Sequence, residues 1–199
     1  MSAIPKILAL CGSTRTGSLN RKLLRIAAQG AEEVGAQVTT VDLRELALPL
    51  YDGDLEEREG LPPGARRLKD LMLEHGGLLI ASPEYNSTFS VVLKNAIDWA
   101  TRPAPGEKPL ECFVDKVAGL VSASPGALGG LRGLLQLRYL LSNIGVIVLP
   151  DQVAIPKADA AFDADGQLTD PRQAEAVRAV GARVATFLRR LSAGQAAVG

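Results

Sequence analysis

The chain has 199 residues, 47% of them hydrophobic and 22% charged, which is typical of a soluble globular protein with a sizeable core. Basic and acidic residues number 22 each, so the formal net charge is zero. Nucleic acids and anionic membrane surfaces are bound by proteins with a basic excess, so this balance argues against both as partners.

Strand-like apolar runs alternate with helical patterns along the whole chain. The predicted strands are residues 6–12, 37–43, 77–86, 116–124 and 146–155. Apolar residues at helical spacing predict helices that begin at residue 19, span 65–75, 91–101 and 128–143, and begin again at Asp170-Pro171. Aspartate is a favoured N-cap and proline fits the first helical position, which supports that last start. Residues 49–64, rich in proline, glycine and acidic residues, are predicted to form a loop.

This order of elements predicts an α/β protein with a flavodoxin-like three-layer fold. Strands joined through helices run parallel, so we expect a five-stranded parallel sheet with the order 2-1-3-4-5. The chain shows no internal repeat and no linker, which predicts a single domain over residues 1–199. Ligands of such sheets bind beyond the carboxyl ends of the strands. Three chemically unusual loops are predicted there, at residues 12–20, 83–90 and 122–130.

The cysteine and histidine content is low. Cys11 and Cys112 form no CxxC pair, so we expect no zinc site or dithiol motif, but buried free thiols in a reducing cytoplasm. The apolar run at 7–12 is too short for a signal peptide core or a membrane span, which also predicts a cytoplasmic protein. His75, the single histidine, falls where a helix should end, and we expect it to contact the helix dipole rather than to act in catalysis.

The loop after the first predicted strand, "CGSTRTGSLNR" (residues 11–21), is suited to an anion. The dinucleotide fingerprint GxGxxG fails because Ser13-Thr14 follow Gly12. The triphosphate-binding P-loop fails too, because Ser18-Leu19 occupy the positions of its lysine and its hydroxyl residue. A nucleoside triphosphate would therefore lack its main counter-charges.

A single terminal phosphate fits this loop better. It carries roughly −1.5 to −2 charges, and Arg15 with a helix N-terminus supplies roughly +1.5. Hydroxyls of Ser13, Ser18 and the neighbouring threonines can donate hydrogen bonds. Asn20 can either brace the loop or reach the phosphate.

Three motifs resemble those of the NAD(P)H-dependent FMN reductase family, which includes quinone, chromate and azo-dye reductases. "GSTRTGSLNRKLL" is similar to its GSxRxxSxN phosphate loop, "SPEYNSTFSVVLKNAIDWATR" to its PEYN…LKNAIDW signature, and "SASPGALGGLRGLLQLR" to its third motif. The resemblance spans about residues 6–156. One departure is Ser90-Val91, where many members have Pro-Gly. Because of it, the resemblance does not determine the geometry at the start of the following helix or the access of substrate.

The resemblance implies that FMN lies across the three loops. Pro83 stiffens the second loop, Tyr85 offers a flat surface, and the segment looks onto the isoalloxazine near N5. Small residues of the third loop hold the pyrimidine side. The expected cofactor-binding residues are Ser13, Arg15, Ser18, Leu19, Asn20, Pro83, Glu84, Tyr85, Asn86, Ser122, Ser124 and Gly126.

The predicted function is that of an FMN-dependent NAD(P)H oxidoreductase. NADH or NADPH passes hydride to flavin N5, and a quinone-like or other small acceptor is reduced next in a ping-pong scheme. The flavin carries the chemistry, so no catalytic side chain is expected. The alternative is an FMN-binding electron carrier or redox sensor, although flavodoxin-type carriers tend to be strongly acidic and this chain is not.

Two predicted helices carry more apolar surface than one sheet requires. The helix at 91–101 adds a flanking stripe of Val92 and Trp99, and the helix at 128–143 is leucine-rich on several sides. A helix that is apolar on several sides is buried on several sides. We therefore expect a homodimer or a homotetramer in which the partner partly walls the flavin.

Overall fold

The computed structural model describes residues 4–198 and contains seven strands and six helices within them. In chain order the elements are β1 (Lys6–Cys11), α1 (Leu19–Glu33), β2 (Gln37–Val41), α2 (Gly53–Glu59), α3 (Pro63–Glu74), β3 (Gly77–Ala81), β4 (Glu84–Tyr85), β5 (Thr88–Phe89), α4 (Val91–Thr101), β6 (Val117–Ala123), α5 (Leu131–Asn143), β7 (Ile147–Ile155) and α6 (Pro171–Val198).

Five of the strands form one parallel sheet in the order β2-β1-β3-β6-β7. Counted among the sheet strands alone, this is the predicted order 2-1-3-4-5. Every residue of the central strands β3 and β6 is buried, because helices cover both faces. The α/β flavodoxin-like prediction is confirmed.

The side chains of β1 show how the sheet divides two cores. Ile7 and Ala9 belong to the core beneath α1 and α6, and Leu8 and Leu10 to the core beneath α3, α4 and α5. Successive side chains of a strand point to opposite faces, so a continuous apolar run serves both cores. The predicted ligand loops follow the carboxyl ends of the strands, next to both cores.

The helices α1 and α6 approach each other through two glycines. A Cβ added at Gly181 would lie 1.8 Å from the Ala27 carbonyl oxygen, and one added at Gly30 would lie 2.1 Å from the Arg178 carbonyl oxygen. Backbone therefore packs on backbone at this crossing. The contact fixes α1, whose first turn faces the predicted ligand.

Three boundaries differ from the sequence predictions. Residues 49–64 were expected to be a loop but contain α2, which Asp52 caps by accepting a hydrogen bond from the Asp54 amide at 2.9 Å. The predicted strand at 77–86 stops at Ala81 and is followed by a hairpin. The last helix before β7 begins at residue 131 rather than 128, because Gly129 and Gly130 adopt positive φ angles of 61° and 93°.

The predicted buried free thiols and the predicted position of His75 at a helix end are confirmed. Cys11 and Cys112 are buried free thiols, and burial raises the pKa of each. His75 ends α3, with Nδ1 2.6 Å from the Leu71 carbonyl oxygen and Nε2 2.8 Å from Thr39 Oγ1. It lies at the amino end of β3, away from the ligand loops. Within residues 4–198, no helix combines the length and the apolar character needed to cross a membrane.

A charged cluster joins α3 to the segment that follows α4. Glu107 pairs with Lys69 and Arg66, and its Oε2 accepts a hydrogen bond from the Ala104 amide at 2.9 Å. Only 3% of the Lys69 side chain is exposed, so its charge depends on this partner. Lys69, the Ala104 amide and Arg66 outweigh the effect of burial and lower the pKa of Glu107 to about 2.

The variant Glu107→Gln should lower the free energy of unfolding by about 2 kcal/mol at neutral pH, the scale of a charged hydrogen-bonded contact. Because the folded-state pKa of Glu107 is below its ordinary value of 4.5, its contribution is present above that pH and is lost as the pH falls toward 2. Urea denaturation across this range measures it. A difference between the two proteins that stays constant from pH 7 to pH 2 would contradict the assignment.

Candidate functional site

A cleft of about 250 Å³ lies beyond the carboxyl ends of β1, β3 and β6. The three predicted loops form its walls. Nine of the twelve predicted residues line it, namely Ser13, Arg15, Ser18, Leu19, Asn20, Pro83, Glu84, Tyr85 and Ser124. Ala123 and Pro125 complete the lining and were missed, although they fall between predicted residues of the third motif.

The first loop combines a cation with the start of a helix. Ser18 is the N-cap of α1 and its Oγ accepts a hydrogen bond from the Arg21 amide at 3.2 Å, which leaves its own proton free to donate. Arg15 is exposed at the cleft and makes no ion pair with any residue in the described range 4–198. Its positive charge is therefore available to an anion at the α1 N-terminus.

Asn20 braces the first loop against the third. This side chain is 4% exposed; its Nδ2 donates to the Ala123 carbonyl oxygen at 2.8 Å and its Oδ1 accepts from the Ala123 amide at 2.9 Å. Of the two roles considered from the sequence, the structure shows the bracing role. The second amide hydrogen of Nδ2 remains available at the cleft wall, because an amide carries two donors.

The second loop is a hairpin that the sequence did not predict. Strands β4 and β5 are two residues each, and Tyr85 pairs with Thr88 across a turn of Asn86 and Ser87. These two residues have φ angles of 50° and 69°, as a two-residue primed turn requires. Asn86 therefore shapes the turn and does not line the cleft, whereas Tyr85, 58% exposed, stands at the cleft mouth.

Glu84 locks this hairpin to α5. Its carboxylate accepts hydrogen bonds from Arg132 Nε at 2.7 Å and from the Gly133 amide at 3.1 Å. Burial favours the neutral acid, but the Gly133 amide and the Arg132 guanidinium outweigh it and lower the pKa of Glu84. Glu84 is thus a structural anion. Arg132 was missed, because no local pattern links it to a carboxylate 48 residues earlier.

Two predicted residues of the third loop lie outside the cleft lining. Ser122 is fully buried and its Oγ donates to the Ser82 carbonyl oxygen at 2.7 Å, so it supports the floor from below. Gly126 lies in the exposed turn, where its amide donates to Ser124 Oγ at 3.3 Å. A Cβ at Gly130 would lie 1.9 Å from Ser122 Oγ, which explains the glycine at that position.

The profile of the family described as NADPH-dependent FMN reductase matches residues 5–160. An NAD(P)H-dependent FMN reductase of Pseudomonas aeruginosa is 36% identical over 192 residues, which covers 96% of this chain and 99% of the relative. A probable NADPH:quinone oxidoreductase of Oryza sativa is 37% identical over 198 residues, covering 94% and 93% of the two chains. The chain belongs to the NADPH-dependent FMN reductase family.

Solved structures agree with this membership. FerB of Paracoccus denitrificans, described as a flavoenzyme NAD(P)H:(acceptor) oxidoreductase, superposes with a TM-score of 0.79 at 28% identity and covers 94% of this chain and 98% of its own. The chain is accordingly an FMN-dependent oxidoreductase with NADH or NADPH as co-substrate.

The residues of the cleft fit this cofactor. A flavin mononucleotide needs an anion site joined to a surface for a flat ring. Arg15 and the start of α1 can provide the first, and the hairpin with Tyr85 can provide the second. The cleft is smaller than the roughly 300–1,000 Å³ typical of cofactor sites, so a ring bound there stays open on one side.

Proposed function

We propose that this cleft holds FMN, with its phosphate on the loop of residues 12–20 and its ring beside the hairpin, and that the acceptor is a quinone-like small molecule. The charge match at the first loop carries the proposal: one unpaired arginine and one helix N-terminus fit one phosphate. The quinone-like acceptor is supported by the relatives, several of which are described as quinone reductases or quinone oxidoreductases.

In this proposal the side chains bind and orient FMN. When bound, FMN supplies the redox chemistry, accepting hydride from the nicotinamide and returning two electrons to the acceptor. Arg15, Ser13 and Ser18 hold the phosphate end. Glu84 fixes the hairpin, and its lowered pKa beside Arg132 and the Gly133 amide makes it a poor proton acceptor. A quinone that receives the hydride needs one further proton, which solvent supplies in this proposal.

Anaerobic mixing of flavin-loaded protein with NADPH or NADH tests the proposal. Rapid loss of the yellow flavin absorbance, followed by recovery on addition of a quinone, is the expected result, with parallel initial-rate lines in steady state. Free FMN at equal concentration is the control. Flavin that is unaffected by both nicotinamides would favour the electron carrier instead.

We further propose a homodimer in which the partner partly walls the cleft, with a homotetramer as the larger alternative. Leu131, Leu135 and Tyr139 recur every fourth residue along α5 and are 37%, 51% and 73% exposed. The same helix holds Glu84 of the cleft wall through Arg132, so the first turn of α5 lies near the cleft. Monomeric proteins rarely leave such a stripe in water.

Trp99 was expected from the sequence to belong to a flanking apolar stripe that a partner subunit would cover, and this prediction was wrong. This side chain is fully buried within the chain, where its Nε1 donates to the Pro49 carbonyl oxygen at 2.8 Å and its ring lies 5.1 Å from that of Tyr51. Residues 49–51 thus cover the flank of α4 that the sequence left free. The dimer proposal therefore rests on α5.

The variant Leu135→Glu should shift sedimentation from dimer to monomer and weaken FMN binding several-fold, because a charge is costly in an apolar interface. Leu73→Glu on α3 is the matched control, since Leu73 is 41% exposed outside the stripe, and it should change neither property. A wild-type monomer at all concentrations would contradict the dimer.

We also propose that the chain forms one domain and works in the cytoplasm. The two cores share a single sheet, which supports the first statement. The two free, buried cysteines support the second, since thiols stay reduced there.

A further inference from the structure

Three buried serines lie beneath the floor of the cleft. Ser82 follows β3, Ser90 is the N-cap of α4, and Ser122 lies near the end of β6. Their exposed fractions are 2%, 1% and 0%, and none of them lines the cleft. Hydroxyls buried this completely must be satisfied within the protein.

Ser90 connects the first loop to the second. Its Oγ donates to the Gly12 carbonyl oxygen at 2.5 Å and accepts from the Leu93 amide at 3.2 Å. Its own amide donates to Ser82 Oγ at 3.4 Å, and Ser82 Oγ donates in turn to the Pro83 carbonyl oxygen at 3.0 Å. The backbone before the phosphate loop is thus tied to the backbone before the hairpin.

Ser122 extends the network to the third loop. Its Oγ donates to the Ser82 carbonyl oxygen at 2.7 Å. The chain of bonds therefore runs from Gly12 through Ser90 and Ser82 to Ser122, across the ends of β1, β3 and β6. In a dry environment such a satisfied network specifies one geometry, because any shift leaves a buried polar group unpaired.

The space around Ser90 is as restrictive as its hydrogen bonds. A Cβ on Gly12 would lie 2.8 Å from Ser90 Oγ and 3.3 Å from Ser82 Oγ. The first loop therefore sits directly on these hydroxyls. A proline at position 90 would have neither the hydroxyl nor the amide hydrogen that make these two bonds.

We propose that Ser90 is a positioning residue that sets the distance between the phosphate subsite and the ring subsite of FMN. Its hydroxyl holds the Gly12 carbonyl and its amide holds Ser82 Oγ, so two hydrogen bonds fix the start of α4 against the first two loops. FMN binds through both subsites, so the fixed spacing raises its affinity. The affinity of a ligand that uses the ring subsite alone does not depend on this spacing. The inference rests on the proposed placement of FMN in the cleft.

The test compares the affinities of the apoprotein for FMN and for riboflavin, which lacks the phosphate, by titration of flavin fluorescence. The ratio of the riboflavin Kd to the FMN Kd measures the gain from the phosphate. In Ser90→Ala this ratio should fall about three- to tenfold, the loss expected for one hydrogen bond, while the riboflavin Kd changes little. General destabilisation would weaken both ligands equally and leave the ratio unchanged.

Asp170→Ala is the control, because it removes the α6 cap, in which Asp170 Oδ1 accepts from the Arg172 amide at 2.8 Å, far along the chain from the three loops. It should not change the ratio. A ratio that Ser90→Ala leaves at the wild-type value overturns the inference, while the placement of FMN stands.

A second variant covers the case in which Ser90→Ala does not fold. Ser82→Ala removes the acceptor of the Ser90 amide and leaves the α4 cap intact, and it should lower the same ratio about threefold; an unchanged ratio overturns the inference. A ratio close to one in the wild-type protein would show that the first loop does not bind the phosphate. It would contradict both the proposed placement of FMN and the role of Ser90.

Discussion

Replacing Arg15 with alanine should weaken FMN binding by about 1.5–3 kcal/mol, or about 10- to 150-fold in Kd. Arg15 lies at the cleft beside the N-terminus of α1 and has no ion-pair partner among residues 4–198. Its removal therefore takes one full positive charge away from the phosphate and leaves no buried carboxylate without its partner. Equilibrium titration of the apoprotein with FMN measures the change.

Arg67→Ala provides the matched control for Arg15. Arg67 is an exposed arginine on α3, outside the cleft lining, so FMN affinity should not change. Riboflavin affinity should change little in Arg15→Ala, because that ligand has no phosphate. Arg15→Lys should restore part of the loss, since it keeps the charge but not the planar donor pattern. An FMN affinity unchanged in Arg15→Ala would reduce the first loop to an ordinary polar turn.

Gly181→Ala should destabilise the fold by about 3 kcal/mol, the upper part of the usual range for overpacking. The new Cβ would lie 1.8 Å from the Ala27 carbonyl oxygen and 3.0 Å from the Ala31 amide nitrogen. Both are backbone atoms, so no side-chain rotation relieves the clash and α6 must move away from α1. Chemical denaturation with urea measures the loss.

Gly194→Ala tests the same substitution on the same helix without the contact. Among the residues that the structure describes, no heavy atom outside the neighbouring backbone of α6 lies within 4 Å of a Cβ added there, so this variant should be neutral or more stable by up to about 1 kcal/mol through helix propensity. Equal stability of the two variants would show that the α1–α6 crossing is looser than the backbone contact indicates. FMN binding should weaken in Gly181→Ala alone, because α1 carries Ser18 and Asn20.

The sheet and the first loop could be predicted from the sequence because their signals are local. Central strands buried on both faces read as continuous apolar runs, and the loop after β1 carries its cation, its hydroxyls and its N-cap within eleven residues. Asp170-Pro171 likewise marks the start of α6 by itself. In these segments the physical cause and the residues that show it are neighbours in the chain.

The remaining features depend on contacts that the sequence does not display. Strands β4 and β5 are too short for any periodicity, and α2 has no buried residue, so neither carries an apolar pattern. The partner of Glu84 is distant in sequence. Ser122 was placed in the cleft because the composition of a loop does not tell which hydroxyls face the ligand and which satisfy the backbone behind it.

The burial of Trp99 gives this enzyme a built-in optical reporter. It is the single tryptophan of the chain, so all intrinsic tryptophan emission arises at one place, on α4 beneath residues 49–51. Trp99 follows Ser90 by nine residues, about 14 Å along a helix at 1.5 Å per residue. Flavin absorption overlaps tryptophan emission, so FMN bound as proposed in the cleft is expected to quench this emission by energy transfer. The intrinsic fluorescence of Trp99 is therefore expected to report occupancy of the cleft, without an added label and without turnover.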